Sequence, residues 1–369
     1  MYNIGQGKQG LVHLEIGESD FPTPRHIIEA AKKAMDDGYT RYTPNSGYID
    51  LRNRIAEKLL IENKIDADPS TEIIVTAGAM QALSLAVLVT INPCDEVIIP
   101  DPTYESFVRQ VKFAGGVPVC VKVKEENEFR LTPADVESAI TTKTRMIILN
   151  TPCNPTGSVM NRADLEGIAE IAKQNDLIIL TDEIYEKLTY DGFKHFSISA
   201  LPEMMERTIS VFGFSKTYAM TGWRVGYAVS NRRIVEQMNK IQEFYVTCAS
   251  SVSQRAALAA LEGPQDCVES MIREFTKRRD FLYSELSKSD KIVCVRPKGT
   301  FFLFPNISKT GLRSQKAADL LLQKGRVVTV PGKAFGKYGD RFLRLSFASS
   351  VDHLQEAAVR IRTTFAQLE

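Results

Sequence analysis

Short runs of β-branched and aliphatic residues, apolar at odd and even positions alike, recur along the first part of the chain. They are EIIVT (72–76), DEVIIP (95–100), TRMIILN (144–150), DLIILTD (176–182), RTISVFGF (207–214) and GYAVS (226–230). A strand apolar on both faces belongs to a sheet covered on both sides, as mostly parallel sheets are. Between several of these runs lie segments with apolar residues at helical spacing, such as 162–175. Strand–helix alternation of this kind predicts an α/β domain, which we place at 21–283. After an amphipathic stretch at 268–287 the pattern changes. KIVCVRP, GTFFLFP, a helix around 314–324, VVTVP and RFLRLSFA read as a smaller α+β domain over 284–369. The segment LVHLEIG, within 1–20, is expected to join it, because chain termini often pack together.

A chain of 369 residues is too long for one ordinary core, which favours two domains sharing a cleft. The formal net charge is +1 and no long basic stripe is present, so nucleic acid is not expected as a partner. Small anions remain admissible, since they need only a few placed cations. The N-terminus has no sustained apolar core and does not read as a signal peptide. The most apolar stretch, 82–91, is too short to span a bilayer and reads as a buried helix, so no membrane association is expected. Six scattered cysteines without CxxC, and four histidines without HExxH or HxxxH spacing, predict neither a disulfide framework nor a metal centre. A cytoplasmic protein is the default expectation.

In open α/β sheets, ligands bind beyond the carboxyl ends of the strands. The run EIIVT is followed by Ala77, Gly78, Ala79 and Met80, small residues opening a helix and suited to cradling a phosphate with backbone amides. A plain tight turn would use the same residues. DEVIIP leads to Tyr104, TRMIILN to Asn154, and DLIILTD ends on Asp182 with Tyr185 in the following turn. RTISVFGF is followed by Ser215 and Lys216, and Arg224 precedes the next strand. Each has a bland reading: Asp182 as a helix cap, the tyrosines as packing, Lys216 as a solvated side chain. Their convergence on one rim points to a ligand site, because a lysine, carboxylate, amide, phenol and arginine are costly to bury together without one.

The segments NPTG (154–157), TDEIYE (181–186) and SKTYAMTGWRVGY (215–227) resemble the class I aminotransferases of fold type I, which use pyridoxal 5′-phosphate (PLP). GESDFPTP (17–24), RYTPNSGYIDLR (41–52), PGKAFG (331–336) and FLRLSFA (342–348) match in the same order, so the resemblance covers almost the whole chain. It is strongest to the prokaryotic aspartate and aromatic aminotransferases. The resemblance implies an α/β PLP-dependent transferase fold and transfer of an amino group from an L-amino acid, aspartate or aromatic, to a 2-oxo acid such as 2-oxoglutarate. It makes Lys216 the Schiff-base lysine and proton shuttle, which requires a depressed pKa so that its amine is neutral when free. Asp182 would pair with the pyridine nitrogen, Asn154 and Tyr185 would hydrogen-bond the ring oxygen, and Tyr104 would stack on the ring. Arg224, Ser215 and the amides of Gly78, Ala79 and Met80 would hold the phosphate. Arg344 would take the substrate α-carboxylate as a bidentate fork, with Gly17 and Asn154 beside it. Tyr42 would reach the phosphate of the neighbouring subunit, implying a homodimer with shared sites.

Two features depart from the family pattern. Met80 stands where aspartate-using relatives often carry a lysine, and the short beginning leaves little N-terminal arm for subunit exchange. The same motifs also serve β-lyases and cyclopropane-forming synthases, and a non-catalytic PLP-binding regulator is a further alternative. Such regulators carry a DNA-binding module, for which no segment is left over. A nicotinamide dehydrogenase is disfavoured, because no GxGxxG follows a strand with an acidic residue further on.

Overall fold

The computed structural model describes residues 10–368; the first nine residues of the 1–20 segment, and Glu369, lie outside the described residues. Among the described residues twelve strands form: β1 Val12–His13, β2 Ile73–Thr76, β3 Glu96–Asp101, β4 Val117–Lys122, β5 Thr144–Asn150, β6 Ile178–Asp182, β7 Thr208–Gly213, β8 Gly226–Val229, β9 Phe302–Leu303, β10 Val327–Val328, β11 Val330–Pro331 and β12 Leu343–Ser346. Seven of them make one sheet in the order β2-β8-β7-β6-β5-β3-β4. All neighbours are parallel except β8, which runs antiparallel to both β2 and β7.

The two-sided apolar pattern has a direct packing cause. Alternate residues of β3, β5 and β6 feed two different cores, one on each face of the sheet. Ile98, Ile147, Leu149 and Ile179 pack with Leu165, Ile168, Ala169 and Ala172 of the helix Arg162–Gln174. Val97, Ile99, Met146, Ile148 and Leu180 pack with Ala82, Leu83, Leu85, Ala86 and Val87 of the helix Ala79–Thr90. Each fully buried aliphatic side chain contributes roughly 1.5–3 kcal/mol of transfer free energy. The helix Arg162–Gln174 starts where Asn161 Oδ1 accepts the Asp164 amide at 2.8 Å, a side-chain cap.

Sequence periodicity overlooks β4. Its residues are half-buried or exposed and include Pro118, as suits an edge strand, so it lacks the continuous apolar signal of the central ones. Conversely, KIVCVRP forms only an isolated bridge, Val293 to Asn306, and VVTVP divides between two small sheets. β10 pairs in parallel with β1, while β11, β12 and β9 form a three-stranded antiparallel sheet. The amphipathic stretch is one helix, Asp266–Leu286, running unbroken through residue 283. A core of Val12, Leu14, Phe275, Phe301, Phe302, Leu345 and Phe365 gathers the N-terminal strand with the C-terminal elements.

One tie fixes the C-terminal segment to the large sheet. Asp101 ends β3, and its buried carboxylate accepts the amides of Lys337 at 3.1 Å and Tyr338 at 3.2 Å. Gly336 passes this carboxylate at φ +131°, where a Cβ would stand 2.1 Å from Asp101 Oδ1, so a side chain is excluded. The Thr103 amide donates to Phe335 O at 2.9 Å, holding Phe335 over the strand ends. Replacing Asp101 with Ala leaves both amides without their acceptor and is expected to lower stability by about 1–3 kcal/mol, read as an earlier midpoint in urea unfolding. An unchanged midpoint would show that water replaces the carboxylate at no cost.

Candidate active site

The carboxyl ends of β3, β5, β6 and β7 and the start of the helix Ala79–Thr90 border a single cavity of about 940 Å³. Segment 13–18, arriving beside β10, and Arg344, from the middle of β12, close its other side. Asp182 terminates β6; Ser215 and Lys216 follow β7; Tyr104 and Asn154 follow β3 and β5. All of these line the cavity, as do Gly17, Ala79, Met80, Tyr185, Arg224 and Arg344.

The Lys216 amine donates to Gly17 O at 2.6 Å and lies 5.9 and 5.7 Å from the ring centres of Tyr185 and Phe301. Burial among these groups pulls its pKa down to about 8, helped by the positive charges of Arg344 and Arg224 and opposed by Glu18 and Asp182. Asp182 is pushed the other way, to about 7, chiefly by burial, with Glu183 adding to the rise. Its Oδ1 accepts the Ile184 amide at 3.1 Å, which fixes the carboxylate at the strand end. Tyr185 is buried edge-on against Phe301 and Phe302, and burial raises its pKa, so the phenol keeps its proton.

Arg344 is 6% exposed. Nη1 donates to Asn154 Oδ1 at 3.0 Å and Nη2 to Glu15 O at 2.7 Å, and the guanidinium sits 4.2 Å from the Phe302 ring centre and 5.0 Å from that of Phe335. Burial lowers its pKa to about 10, so it stays a cation at neutral pH. Among the described residues no carboxylate pairs with Arg344 or with Arg224. Arg344 is therefore a buried guanidinium without a counter-charge, and Arg224 an exposed one at the cavity's edge, and each is placed to meet an anionic group of a ligand.

Arg224 adopts φ +50° and donates to Thr221 O at 2.8 Å. Its guanidinium runs so close to Gly78 that a Cβ there would meet Nη2 at 2.7 Å. Gly78 is the N-cap of the helix Ala79–Thr90, and no side chain caps that helix. Its first amides, the positive end of its dipole and Arg224 therefore share one corner, a ready anion site. Gly78 itself shapes this corner without lining the cavity, while Ala79 and Met80 do line it.

Tyr42 stands apart. It is 85% exposed and takes no part in the cavity of its own chain. Asn150, by contrast, lines the cavity without having been singled out from sequence. Its Oδ1 accepts the Asn154 amide at 2.9 Å and its Nδ2 donates to Asp182 O at 3.2 Å, joining two of the site's residues. It is the last residue of β5, so the strand-end rule itself carried the signal. Glu18 and Thr221 also line the cavity, hydrogen-bonded to each other at 2.9 Å. No local pattern marks them, because they meet across 203 residues of sequence.

A family model described as aminotransferase class I and II matches residues 9–361. The chain is 44% identical to an aromatic-amino-acid aminotransferase 2 of Thermococcus litoralis and 45% identical to an aspartate aminotransferase of Pyrococcus abyssi, in each case over 98% of this chain and 93% of the relative. The crystal structure of an aromatic aminotransferase from Pyrococcus horikoshii superposes with a TM-score of 0.95 at 44% identity, covering 97% of this chain and 96% of that one.

The amine of Lys216 has a measurable signature in the cofactor-free protein. Only a neutral amine attacks an acylating reagent, so competitive labelling of Lys216 should half-saturate near pH 8. Exposed lysines, with pKa about 10.4, should label at the same reagent concentration only at higher pH. A Lys216 midpoint among those of the exposed lysines would show that the cavity does not perturb it.

Proposed function

The chain belongs to the class I and II aminotransferases and is an amino acid transaminase of the α/β, fold-type I architecture; from that premise we propose that it binds PLP at Lys216 and transfers the amino group of an L-amino acid to a 2-oxo acid such as 2-oxoglutarate. The observation that carries this reading is a largely buried lysine of depressed pKa, in one cavity with a protonation-prone carboxylate and two guanidiniums that have no carboxylate partner among the described residues.

The residues fit the cofactor group by group. The corner made by Arg224, Ser215 and the amides after Gly78 suits a phosphate dianion, and the absence of a Cβ at Gly78 leaves room for the guanidinium. Asp182 would hold the ring nitrogen, Tyr104 would lie against the ring, and Asn154 and Tyr185 would reach the ring oxygen. When bound, PLP supplies a conjugated ring that accommodates the electron pair left as the substrate Cα loses its proton. Lys216, half neutral near pH 8 and neutral above it, would take that proton from Cα and deliver it to the cofactor's C4′. Arg344 would receive the α-carboxylate; its orientation by Asn154, Glu15 and two aromatic faces leaves little rotamer freedom to lose on binding. Gly17 sits against this guanidinium, where a Cβ would be 3.9 Å from Nη2.

Of the two donor classes, aromatic and aspartate, the cavity supports the aromatic one better. Met80, Leu83, Ile16 and Phe335 give it an apolar wall. The one further arginine in the lining, Arg109, is already held by Glu105 through two hydrogen bonds of 3.1 and 2.6 Å. We further propose two bodies, 21–283 against 1–20 with 284–369, and a homodimer whose partner would receive Tyr42. Tyr42, Phe244 and Tyr245, 85%, 87% and 64% exposed, are free to enter such an interface. Among the described residues no helix is long and apolar enough to cross a membrane, and no cluster of His, Cys, Asp and Glu could hold a metal.

Borohydride treatment of the PLP-loaded protein should fix the label on the peptide containing Lys216. Mixing with an aromatic L-amino acid alone should convert the cofactor stoichiometrically to its pyridoxamine form, which a β-lyase or synthase would not do. Lys216→Ala should lose turnover by about three or more orders of magnitude. Label on another lysine would refute the assignment.

The shared site is checked by mixing two parents, each impaired alone. In a purified hybrid of Lys216→Ala and Tyr42→Ala chains, one of the two sites combines Lys216 from one chain with Tyr42 from the other and should regain wild-type turnover. A hybrid no more active than the better parent would show that Tyr42 does not serve the partner.

A further inference from the structure

The segment 181–186 sends Asp182 and Tyr185 into the cavity, yet its two glutamates are buried elsewhere. Glu183, with no exposed surface, accepts from Ser197 Oγ at 2.5 Å and meets His195 Nε2 at 2.5 Å, both through Oε2. Glu186 pairs with Lys58 and accepts from Asn63 Nδ2 at 2.8 Å. Asn63 joins the two halves: Nδ2 also donates to Ser197 Oγ at 3.0 Å, and Oδ1 accepts from Lys58 Nζ at 2.8 Å. The outcome is one unbroken chain of hydrogen bonds from Lys58 to His195, whose side chains are 9% and 7% exposed.

Stability alone does not account for this network. Buried ion pairs are often no better than apolar residues of the same volume, because desolvation cancels the attraction. What sets it apart is its position on the far side of the turn that carries Asp182. The Glu183 amide donates to Val211 O at 2.9 Å, and the next amide, of Ile184, donates to Asp182 Oδ1. The clamp on Glu183 therefore holds the same peptide units that orient Asp182.

We propose that Glu183 is a positioning residue for Asp182: held in place by Ser197 and His195, its buried carboxylate favours a proton shared between Asp182 and the ring nitrogen of the bound cofactor. This rests on the reading of Asp182 given above. The charge argument has support in Asp182 itself, whose proton affinity is raised first by burial and then further by Glu183. Removing the charge while keeping the shape separates the electrostatic role from a purely structural one.

The test uses the cofactor-free protein titrated with PLP and with 1-deaza-PLP, in which CH replaces the ring nitrogen. The ratio of the two dissociation constants isolates the ring-nitrogen contact, and wild type should favour PLP by about tenfold or more. Glu183→Gln should cut that preference by about fivefold to tenfold, with the 15N resonance of ring-labelled PLP moving towards the unprotonated position. Glu183→Asp should restore the 15N signal. His195→Gln, which leaves Glu183 charged, should not lower the preference. Equal weakening of both ligands in Glu183→Gln, with the wild-type ratio intact, would overturn the proposal. So would an equal fall in the ratio for Glu183→Gln and His195→Gln, since that is what loss of structure alone produces. Asp182→Ala tells the two readings apart: if it too keeps the wild-type ratio, Asp182 does not meet the ring nitrogen, and its assignment fails with the proposal.

Discussion

Charge held out of water without a counter-ion is the constraint on which the site depends. Arg344 is almost fully buried yet donates only to neutral oxygens, and its Nε has no partner among the described residues. Asp182 is buried at a strand end, where its carboxylate accepts a backbone amide and, among the described residues, forms no ion pair. Either group alone costs several kcal/mol in an apolar interior. The protein bears that cost through two extensive cores on the faces of its central sheet, which hold the strand ends rigid. The shifts of Lys216 and Asp182 towards neutrality are the same cost seen as proton affinity.

Rigidity at the strand ends comes from several independent ties. Asn150 bridges Asn154 to the Asp182 carbonyl, so β5 and β6 deliver their terminal residues in fixed register. Asp101 fastens the loop that carries Phe335, and Phe335 in turn packs on the guanidinium of Arg344. Glu15 and Gly17 supply backbone oxygens to Arg344 and Lys216, so the segment next to β1 is part of the cavity wall. The site is therefore assembled from pieces at both ends of the chain and its middle, and none of these pieces could hold its geometry alone.

The turn 182–186 shows how one short segment serves two environments. Its cavity side presents a carboxylate and a phenol, while its other side enters a buried polar network reaching Lys58. Within that network Glu183 Oε2 carries both the His195 and the Ser197 contacts, so a single carboxylate oxygen joins the turn to the buried chain of hydrogen bonds.

The sequence by itself determined the strand–helix alternation, the two-sided burial of the central strands and the residues that follow them. Those properties are local: continuous apolar runs and helical spacing are written in neighbouring residues. It also marked Lys216, Asp182, Asn154, Tyr104 and Arg224 as rim residues, because a parallel sheet directs all its carboxyl ends to one side. Edge strand β4 escaped because its half-exposed residues leave no apolar signature, and VVTVP was divided because its two halves find partners on different strands. Only the tertiary structure decided the rest. That Arg344 stacks between Phe302 and Phe335, that Glu18 meets Thr221, and that Glu183 is clamped by His195 rather than solvated are long-range contacts. They arise when distant segments are desolvated against each other, and desolvation, which sets the proton affinities of Lys216 and Asp182, is a property of the packed whole that no stretch of sequence carries.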